Sequence, residues 1–572
     1  MRLIDYYNYI ATAAYILMGV AALYFYYSGK KKGSPVLSDR MARIFFVVVM
    51  LVAAFLRLYK LGAVPYGLQQ DEASIGYEAY ILSNFGIDRD GHHFPIYPIT
   101  WGCGGGSPLL IYLNVISISL FGTGIMKLRM IPAICGILTV FLFYKTLRLG
   151  FEEKSYRNEA SVLGAAFLAI CPWHVILSRW SLDSNIMPFN LMLSIYLFLL
   201  ASKRKSSLLY CLSAASFSLC MYSYGAATIV VPVVLVLIAV YSVKEKALTI
   251  RQLLAAIITF LVVFAPLLLF YAVNYLGLPE IITDVVTFNR FTAARTGEAF
   301  ASFGDGFLNG VLANLKSMLL TISVGNSHNT IAHYLKGYAT LFAFTFPMTF
   351  LGFAFGVKEL FSKGSDEKGQ QGRILNAMFV FVTLGSIILD LVILPDIQRL
   401  VMLFVPLIYF FVLGAVFIIE NLGRVAAIAL TMVLLIGGVS FTKDYFTGFN
   451  RWSVSIFMPG YGDAIKRAYE IAGDDRTIHS TYDGLSAPFM LALYYTEYDP
   501  YRFISTVKYK DEAAEFRIAE SFGNFFFELP QDVNLPEYEG DVFVVSSADR
   551  DRFSNISMFT EEDFGGYHVL YK

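Results

Sequence analysis

Leu109–Phe121 reads LLIYLNVISISLF, and the topology of the whole chain turns on it. It is continuous and apolar but only 13 residues long, whereas a helix that crosses the hydrocarbon core needs roughly 20. That length suits a helix lying at the membrane–water boundary. If the stretch crossed instead, every later segment would exchange sides. The distribution of Lys and Arg decides between the two, because short cytoplasmic loops carry the excess of both.

The 572-residue chain is 56% hydrophobic and only 15% charged, against about 25% charge in an ordinary soluble domain. A soluble enzyme, a disordered chain and a disulfide-stapled secreted domain are excluded. The 50 Phe and 37 Tyr suit the two membrane interfaces. Forty-four basic residues balance 44 acidic ones, so the basic face that nucleic acid requires is missing. The five cysteines show no metal-ligand spacing.

About twelve transmembrane helices are expected, in a polytopic α-helical membrane protein. They are 7–27, 41–60, 128–147, 161–177, 187–200, 207–222, 226–243, 253–275, 337–360, 374–394, 400–419 and 425–439. The first lacks a basic leader and a small-residue cleavage site, so it reads as a helix and not a signal peptide. With Leu109–Phe121 not crossing, the loops on one side carry Lys30, Lys31, Lys32, Arg40 and Arg43, then Lys145, Arg148, Lys154 and Arg157. They continue with Lys203, Arg204 and Lys205, then Lys244, Lys246 and Arg251, then Lys358, Lys363, Lys368, Arg373 and Arg424. The short segments on the other side carry only Arg2, Arg89, Lys127, Arg129, Arg179 and Arg399. The first set is therefore cytoplasmic, and both termini are extracytoplasmic. So are the long loops 61–127 and 276–336 and the tail. The expected division is a membrane module over 1–440 and a small extracytoplasmic α/β domain over 441–572. In the tail, Asp541–Ser546 and Tyr567–Tyr571 are strand-like and Ser486–Tyr495 is helical. No internal repeat is visible.

Polar residues gather in the extracytoplasmic loops. Gln69-Gln70-Asp71-Glu72 opens a stretch that reaches Glu78, seven residues after Asp71 and on the same helix face. A carboxylate near the low-dielectric boundary gains proton affinity and can act as a base; an acid pair at a helix N-terminus is the structural alternative. Asp88-Arg89-Asp90-Gly91-His92-His93 reads either as a polar turn or as metal ligands. Ser178-Arg179-Trp180-Ser181-Leu182-Asp183 carries a cation and an anion between two apolar helices, where Arg179 can fork onto a phosphate or the charges can simply cap the helices at the interface. Arg399, at the mouth of another apolar helix, and Arg290 and Arg295 can meet a lipid phosphate or simply snorkel. Asp390 stands inside a span, where ionisable groups are costly. Lys127 and Arg129 read as interface anchors.

The order of these features resembles the GT-C glycosyltransferases that use polyprenyl-phosphate sugars, in the protein mannosyltransferase and aminoarabinose transferase group. The carrying motifs are the Asp71-Glu72 pair, Leu128-Arg129-Met130-Ile131-Pro132-Ala133, Pro172-Trp173-His174, Ser178-Arg179, Gln398-Arg399-Leu400 with Pro406, and Gly460-Tyr461-Gly462-Asp463. The likeness covers about 40–465. It implies Asp71, with Glu72 beside it, as the catalytic base or metal-linked acid, Arg179 and Arg399 on the donor phosphate, and Asp183 as the acid near Arg179; Glu78, His92 and His93 are read as supporting residues from their place in the first loop alone. It leaves open a divalent ion (Mg or Mn) on Asp71 and Asp183. Gly106-Ser107-Pro108 stands where the aminoarabinose transferases carry a Lys-Pro-Pro-like stretch, a departure that bears on lipid A chemistry. The implied partners are a polyprenyl-phosphate-linked sugar, membrane lipid and an acceptor that is a protein, a lipid or a glycan.

That chemistry suits the residues. A departing lipid phosphate is already a stable anion, so one base is enough and the paired acids of many glycosidases are not needed. A single base opposite the leaving group implies inversion. Two other readings are a lipid or polymer transporter, which should show midplane charges and paired broken helices, and a scaffold displaying the tail.

Overall fold

The computed structural model describes residues 3–30, 33, 35–293, 306–325, 331–361 and 369–572. Arg2, Lys31, Lys32, Arg295, Lys363 and Lys368 lie outside the described residues. The helices in chain order begin with α1 (Leu3–Tyr27), α2 (Asp39–Leu58), α3 (Gln70–Phe85), α4 (Pro108–Phe121), α5 (Ile125–Gly150), α6 (Arg157–Ile170) and α7 (Pro172–Leu177). They continue with α8 (Met187–Arg204), α9 (Ser207–Ser223), α10 (Ala227–Lys244), α11 (Ile250–Tyr275), α12 (Phe307–Val324), α13 (Phe346–Leu360), α14 (Gln370–Val392), α15 (Val401–Leu422) and α16 (Arg424–Trp452). After the bundle come α17 (Val454–Phe457), α18 (Tyr461–Ala472), α19 (Pro488–Tyr495) and α20 (Pro500–Thr506).

Among the described residues, 10 helices are long and apolar enough to cross a membrane: α1, α2, α5, α8 with the turn before it, α10, α11, α12, α14, α15 and α16. The three other expected spans are shorter. Segment 161–177 is two helices, α6 and α7, parted at Pro172, which lacks an N–H and opens a new helix. Helix α9 has 17 residues, and α13 has 15 because it begins at Phe346 and not Gly337. Helix α12 lies in the segment read as a loop. Its length and hydropathy qualify it, but its contacts keep it at one end of the bundle. Asn314 in its first half donates to the Leu391 carbonyl at the end of α14 (3.0 Å), and the Ile322 carbonyl near its C-terminus accepts from Thr340 Oγ1 (2.8 Å). Thr340 in turn accepts from the Trp173 amide at the start of α7. Helix α4 has 14 residues and stays at this same end, its flanks tied to Asp183 and to Glu497.

The bundle's two ends are chemically unlike. The loops rich in Lys and Arg meet at one of them: Arg157 pairs with Asp39 (3.0 Å), Arg373 with Glu245 (2.9 Å), and the amides of Val36 and Leu37 donate to Glu159. The other, the loop end, gathers α3, α4, α12 and everything after α16.

Beyond α16 the chain forms a small α/β unit. Two strands, β1 (Ile281–Ile282) and β2 (Thr287–Phe288), pair in the loop after α11. The main sheet uses β3 (Ile478–Ser480), β4 (Lys508–Tyr509), β5 (Ala519–Phe522), β6 (Phe525–Phe526), β7 (Val542–Ser546), β8 (Thr560–Asp563) and β9 (Tyr567–Tyr571). The strand order is β4-β5-β6-β3-β7-β9-β8, with β3 parallel to β6 and β7 and the other pairs antiparallel. Helix α16 carries on to Trp452 through the expected boundary at residue 440. The unit shares its core with the first loop: Ala73, Tyr77 and Leu110 are buried in one cluster with Tyr461, Phe489 and Val544. The Tyr77 hydroxyl donates to the Tyr498 carbonyl (2.9 Å), and Arg517 pairs with Asp90 (2.8 Å).

Candidate active site

Helix α3 begins at the loop end because Gln69 caps it. The Gln69 Oε1 accepts from the amides of Asp71 (2.5 Å) and Glu72 (3.2 Å), two donors that would otherwise be orphaned at a helix N-terminus. The same side chain turns its amide to Asp71, donating from Nε2 to Oδ2 at 3.0 Å. Trp101 Nε1 donates to the other oxygen, Oδ1, at 3.2 Å. Asp71 is therefore half-buried with each oxygen held by one neutral donor. Burial pushes its carboxyl above the ordinary value of 3.8, and the hydrogen bonds from Gln69 and Trp101 pull part of the way back. This is the environment of a base that binds its proton more firmly than a free carboxylate.

Asp183 opens the turn before α8. Its Oδ2 accepts from the Ser107 amide (3.1 Å) and Ser107 Oγ (3.0 Å), and its Oδ1 accepts from the Ser184 amide (2.7 Å). Asp71 and Asp183 lie within electrostatic reach of each other. One glycine-rich loop, Thr100–Ser107, serves both: Trp101 at its start reaches Asp71 and Ser107 at its end reaches Asp183. The loop is tight. Trp101 and Gly104 exchange backbone hydrogen bonds, and the Gly106 amide donates to Thr100 Oγ1 (2.9 Å). At Gly105, φ is +143° and a Cβ would stand 1.5 Å from Thr100 Oγ1, so only glycine fits. Phe489 and Phe516 of the C-terminal unit pack against the Trp101 ring.

Glu72 does something different from its neighbour. It is fully buried in a bidentate pair with Arg129, Nε to Oε1 and Nη2 to Oε2 both at 2.7 Å. Its Oε1 also accepts from the Ser181 amide (2.9 Å). Arg129 spends its remaining donors on the carbonyls of Leu61, Pro65 and Gly67. The pair thus ties the Asp71 helix to the loop that carries Asp183. Arg129 was read from sequence as an interface anchor; its burial corrects that, because a membrane-facing arginine would keep its head in water.

The remaining sequence candidates divide. Arg179 is fully buried and is not brought to the two acids. Its guanidinium donates to the carbonyls of Leu56 (2.7 Å), Tyr59 (2.8 Å), Lys60 (3.1 Å) and Val64 (2.8 Å) and lies over the Phe446 ring. With its donors spent on backbone, it pins the end of α2 and has nothing left for a phosphate. Arg399 remains partly exposed beside Asp396 (3.6 Å) and the Leu394 carbonyl. Tyr224, at the end of α9, lies within electrostatic reach of Asp183, Asp390, Asp396 and Arg399. The sequence reading missed Tyr224, Trp101 and Ser107, whose roles depend on tertiary placement. Glu78 pairs with Arg89 (3.3 Å) away from Asp71's ligands. Burial raises its carboxyl and Arg89 opposes the rise. Arg89 in turn donates to the Thr100 carbonyl, so this pair buttresses the glycine-rich loop. His92 sits between Asp88 (3.1 Å) and Glu280 (3.6 Å), and His93 is exposed. Neither histidine meets Asp71. Among the described residues, no group of three or more His, Cys, Asp or Glu side chains could hold a metal ion, so the metal expectation rests on Asp71 and Asp183 alone.

This architecture has known counterparts. Residues 106–270 match the family described as Dolichyl-phosphate-mannose-protein mannosyltransferase, a stretch that includes Ser107 and Asp183 but not Asp71. Residues 363–466 match a family of unknown function. Among solved structures, ArnT from Cupriavidus metallidurans bound to undecaprenyl phosphate superposes with a TM-score of 0.53 at 11% identity, over 93% of this chain and 98% of that one. The Archaeoglobus fulgidus oligosaccharyltransferase in the apo form gives 0.49 at 14% identity. That alignment covers 80% of this chain, which spans only 64% of the archaeal enzyme's length. No curated protein matches this chain in sequence. The chain is a polytopic membrane protein with the GT-C glycosyltransferase fold.

Proposed function

We propose that the protein is an integral membrane glycosyltransferase that moves a sugar from a polyprenyl-phosphate donor to an acceptor nucleophile, with Asp71 as the base. One observation carries this: two carboxylates from distant parts of the chain, Asp71 and Asp183, are held in electrostatic reach by a single glycine-rich loop at one end of the bundle. The family match over 106–270 and the likeness to ArnT support the donor class.

In the proposed step, an acceptor O–H or N–H attacks the anomeric carbon as its proton passes to the Asp71 carboxylate. The bond from the anomeric carbon to the phosphate oxygen breaks, and polyprenyl phosphate leaves with the electron pair. Attack opposite the leaving group inverts the anomeric centre. Arg399 is the cation offered to the departing phosphate; Asp183 orients the acceptor through its fixed carboxylate. Glu72 and Arg129 are positioning residues. A bound divalent ion would supply charge stabilisation to the phosphate, with Asp71 and Asp183 as its protein ligands. Basic loops at the far end support an extracytoplasmic active site.

The test is to incubate the purified full chain with a panel of polyprenyl-phosphate sugars and to measure released polyprenyl phosphate. Release with at least one donor, dependent on acceptor, is the expected result. Lipid movement across a bilayer with no sugar transfer would instead establish the transporter reading.

A further inference from the structure

A cleft lies at the loop end, between the last turns of α16 and the segment before α13. It encloses about 410 Å³ and is lined by Leu335, Lys336, Asp444, Thr447, Arg451 and Trp452 among others, within the roughly 300–1,000 Å³ of small-ligand sites. Asp444, Thr447 and Arg451 recur at helical spacing on one face of α16. Asn450 faces elsewhere, donating to the Ala63 carbonyl (2.9 Å) and accepting from the Tyr66 amide (3.0 Å) in the loop that leads to Asp71. The cleft is thus distinct from the candidate active site and its reading is independent of the proposed transfer.

Depth identifies the surroundings. Helix α16 has 29 residues, about 43 Å at 1.5 Å per residue. That exceeds the roughly 30 Å hydrocarbon core and matches a bilayer with its headgroup layers. The uninterrupted apolar stretch of α16 ends near Val439, so residues 444–452 stand at headgroup level. Trp452, whose Nε1 donates to the Tyr334 carbonyl (3.1 Å), is the residue type that anchors there. Arg451 donates to the Thr447 carbonyl one turn back in its own helix (3.5 Å), and among the described residues no carboxylate pairs with it or with Lys336. Asp444 receives the Tyr338 hydroxyl on Oδ2 (2.6 Å), which fixes its orientation and leaves Oδ1 available. Beyond Gly448, a Cβ would meet nothing within 4 Å.

We propose that this cleft seats the headgroup of a zwitterionic phospholipid of the ethanolamine type. The phosphate lies between Lys336 and Arg451, and the ammonium against Asp444 and the Trp452 ring. Two cations and one carboxylate complement a phosphate joined to an ammonium better than a bare phosphate, which Asp444 would repel.

Native mass spectrometry of the full chain tests it, with phosphatidylethanolamine, phosphatidylglycerol and diacylglycerol of matched tails as probes. Phosphatidylethanolamine is expected to be retained and diacylglycerol lost. Replacing Lys336→Ala and Arg451→Ala together should weaken retention about a hundredfold, roughly tenfold per charge-assisted contact. Asp444→Asn should weaken phosphatidylethanolamine about tenfold and spare phosphatidylglycerol. If the double variant does not fold, the change in the phosphatidylethanolamine-to-phosphatidylglycerol ratio in Asp444→Asn decides alone. Equal retention of diacylglycerol, an unchanged ratio, or displacement by millimolar inorganic phosphate would overturn the proposal, the last by making it a soluble-anion site.

Discussion

Replacing Arg129 with methionine isolates the role of the Glu72–Arg129 pair. Both side chains are fully buried, and the substitution leaves the Glu72 carboxylate held by the Ser181 amide while freeing the carbonyls of Leu61, Pro65 and Gly67. Removing one partner of a buried ion pair costs about 3–5 kcal/mol, chiefly because the other charge is stranded. Converting Glu72 to glutamine in the same chain removes that charge. The double variant Arg129→Met/Glu72→Gln should therefore be more stable than the sum of the single effects implies, with a coupling of about 2–3 kcal/mol. Denaturant unfolding of the four proteins in detergent measures this cycle. Transfer measured on the folded fraction should fall about a hundredfold in Arg129→Met, because the Asp71 helix loses its tie to the Asp183 loop and small misplacements of catalytic groups carry costs of that order. Additive single effects, with coupling under about 0.5 kcal/mol, would show that Glu72 and Arg129 do not act as a pair.

Three further outcomes are expected. Because burial raises the Asp71 carboxyl above 3.8, and only the ionised form accepts a proton, transfer should decline with falling pH along a limb centred above that value. The stability contribution of this group has the opposite sign, being present below the unfolded pKa and lost as pH rises through the folded one. A pH–rate profile flat down to pH about 4 would contradict the assignment. Gly105→Ala should lower both stability and transfer, by about 1–3 kcal/mol in the former from backbone strain alone; adding Thr100→Ala should restore part of it by removing the Oγ1 that would stand 1.5 Å from the new Cβ. Arg179→Lys should lower the unfolding midpoint, because one ammonium cannot reach the four carbonyls that the guanidinium holds. The Michaelis constant for the lipid donor should stay unchanged, and a raised constant with normal stability would restore Arg179 to the phosphate.

Hydropathy carried most of the bundle, because a span announces itself by length and composition. It failed where those two measures separate from contacts. Helix α12 is apolar enough to cross yet is bonded at both Asn314 and Ile322 to the loop end, and Pro172 divides a continuous apolar run into α6 and α7. At the candidate site, Asp71 and Asp183 were visible as acids flanking apolar helices. The identity of their partners was not, since Trp101 and Ser107 are ordinary loop residues until the loop closes on itself. Charge patterning also could not separate Arg179, buried among carbonyls, from Arg399, partly open beside Asp396; a lone arginine at a helix mouth reads the same in both cases. The glycines at 104–106 were the available clue, for two of them, Gly104 and Gly105, hold φ values that other residues resist.

Single-turnover release of polyprenyl phosphate by Asp71→Asn tests the role of this carboxylate most directly. This substitution preserves shape and can still accept from Trp101 but removes the proton-accepting carboxylate. With folding shown to be normal, the rate should drop by about 10²–10⁴, while Asp90→Asn, at the Arg517 contact away from the acids, leaves it within about twofold. Release by Asp71→Asn at the wild-type rate would remove Asp71 as the base.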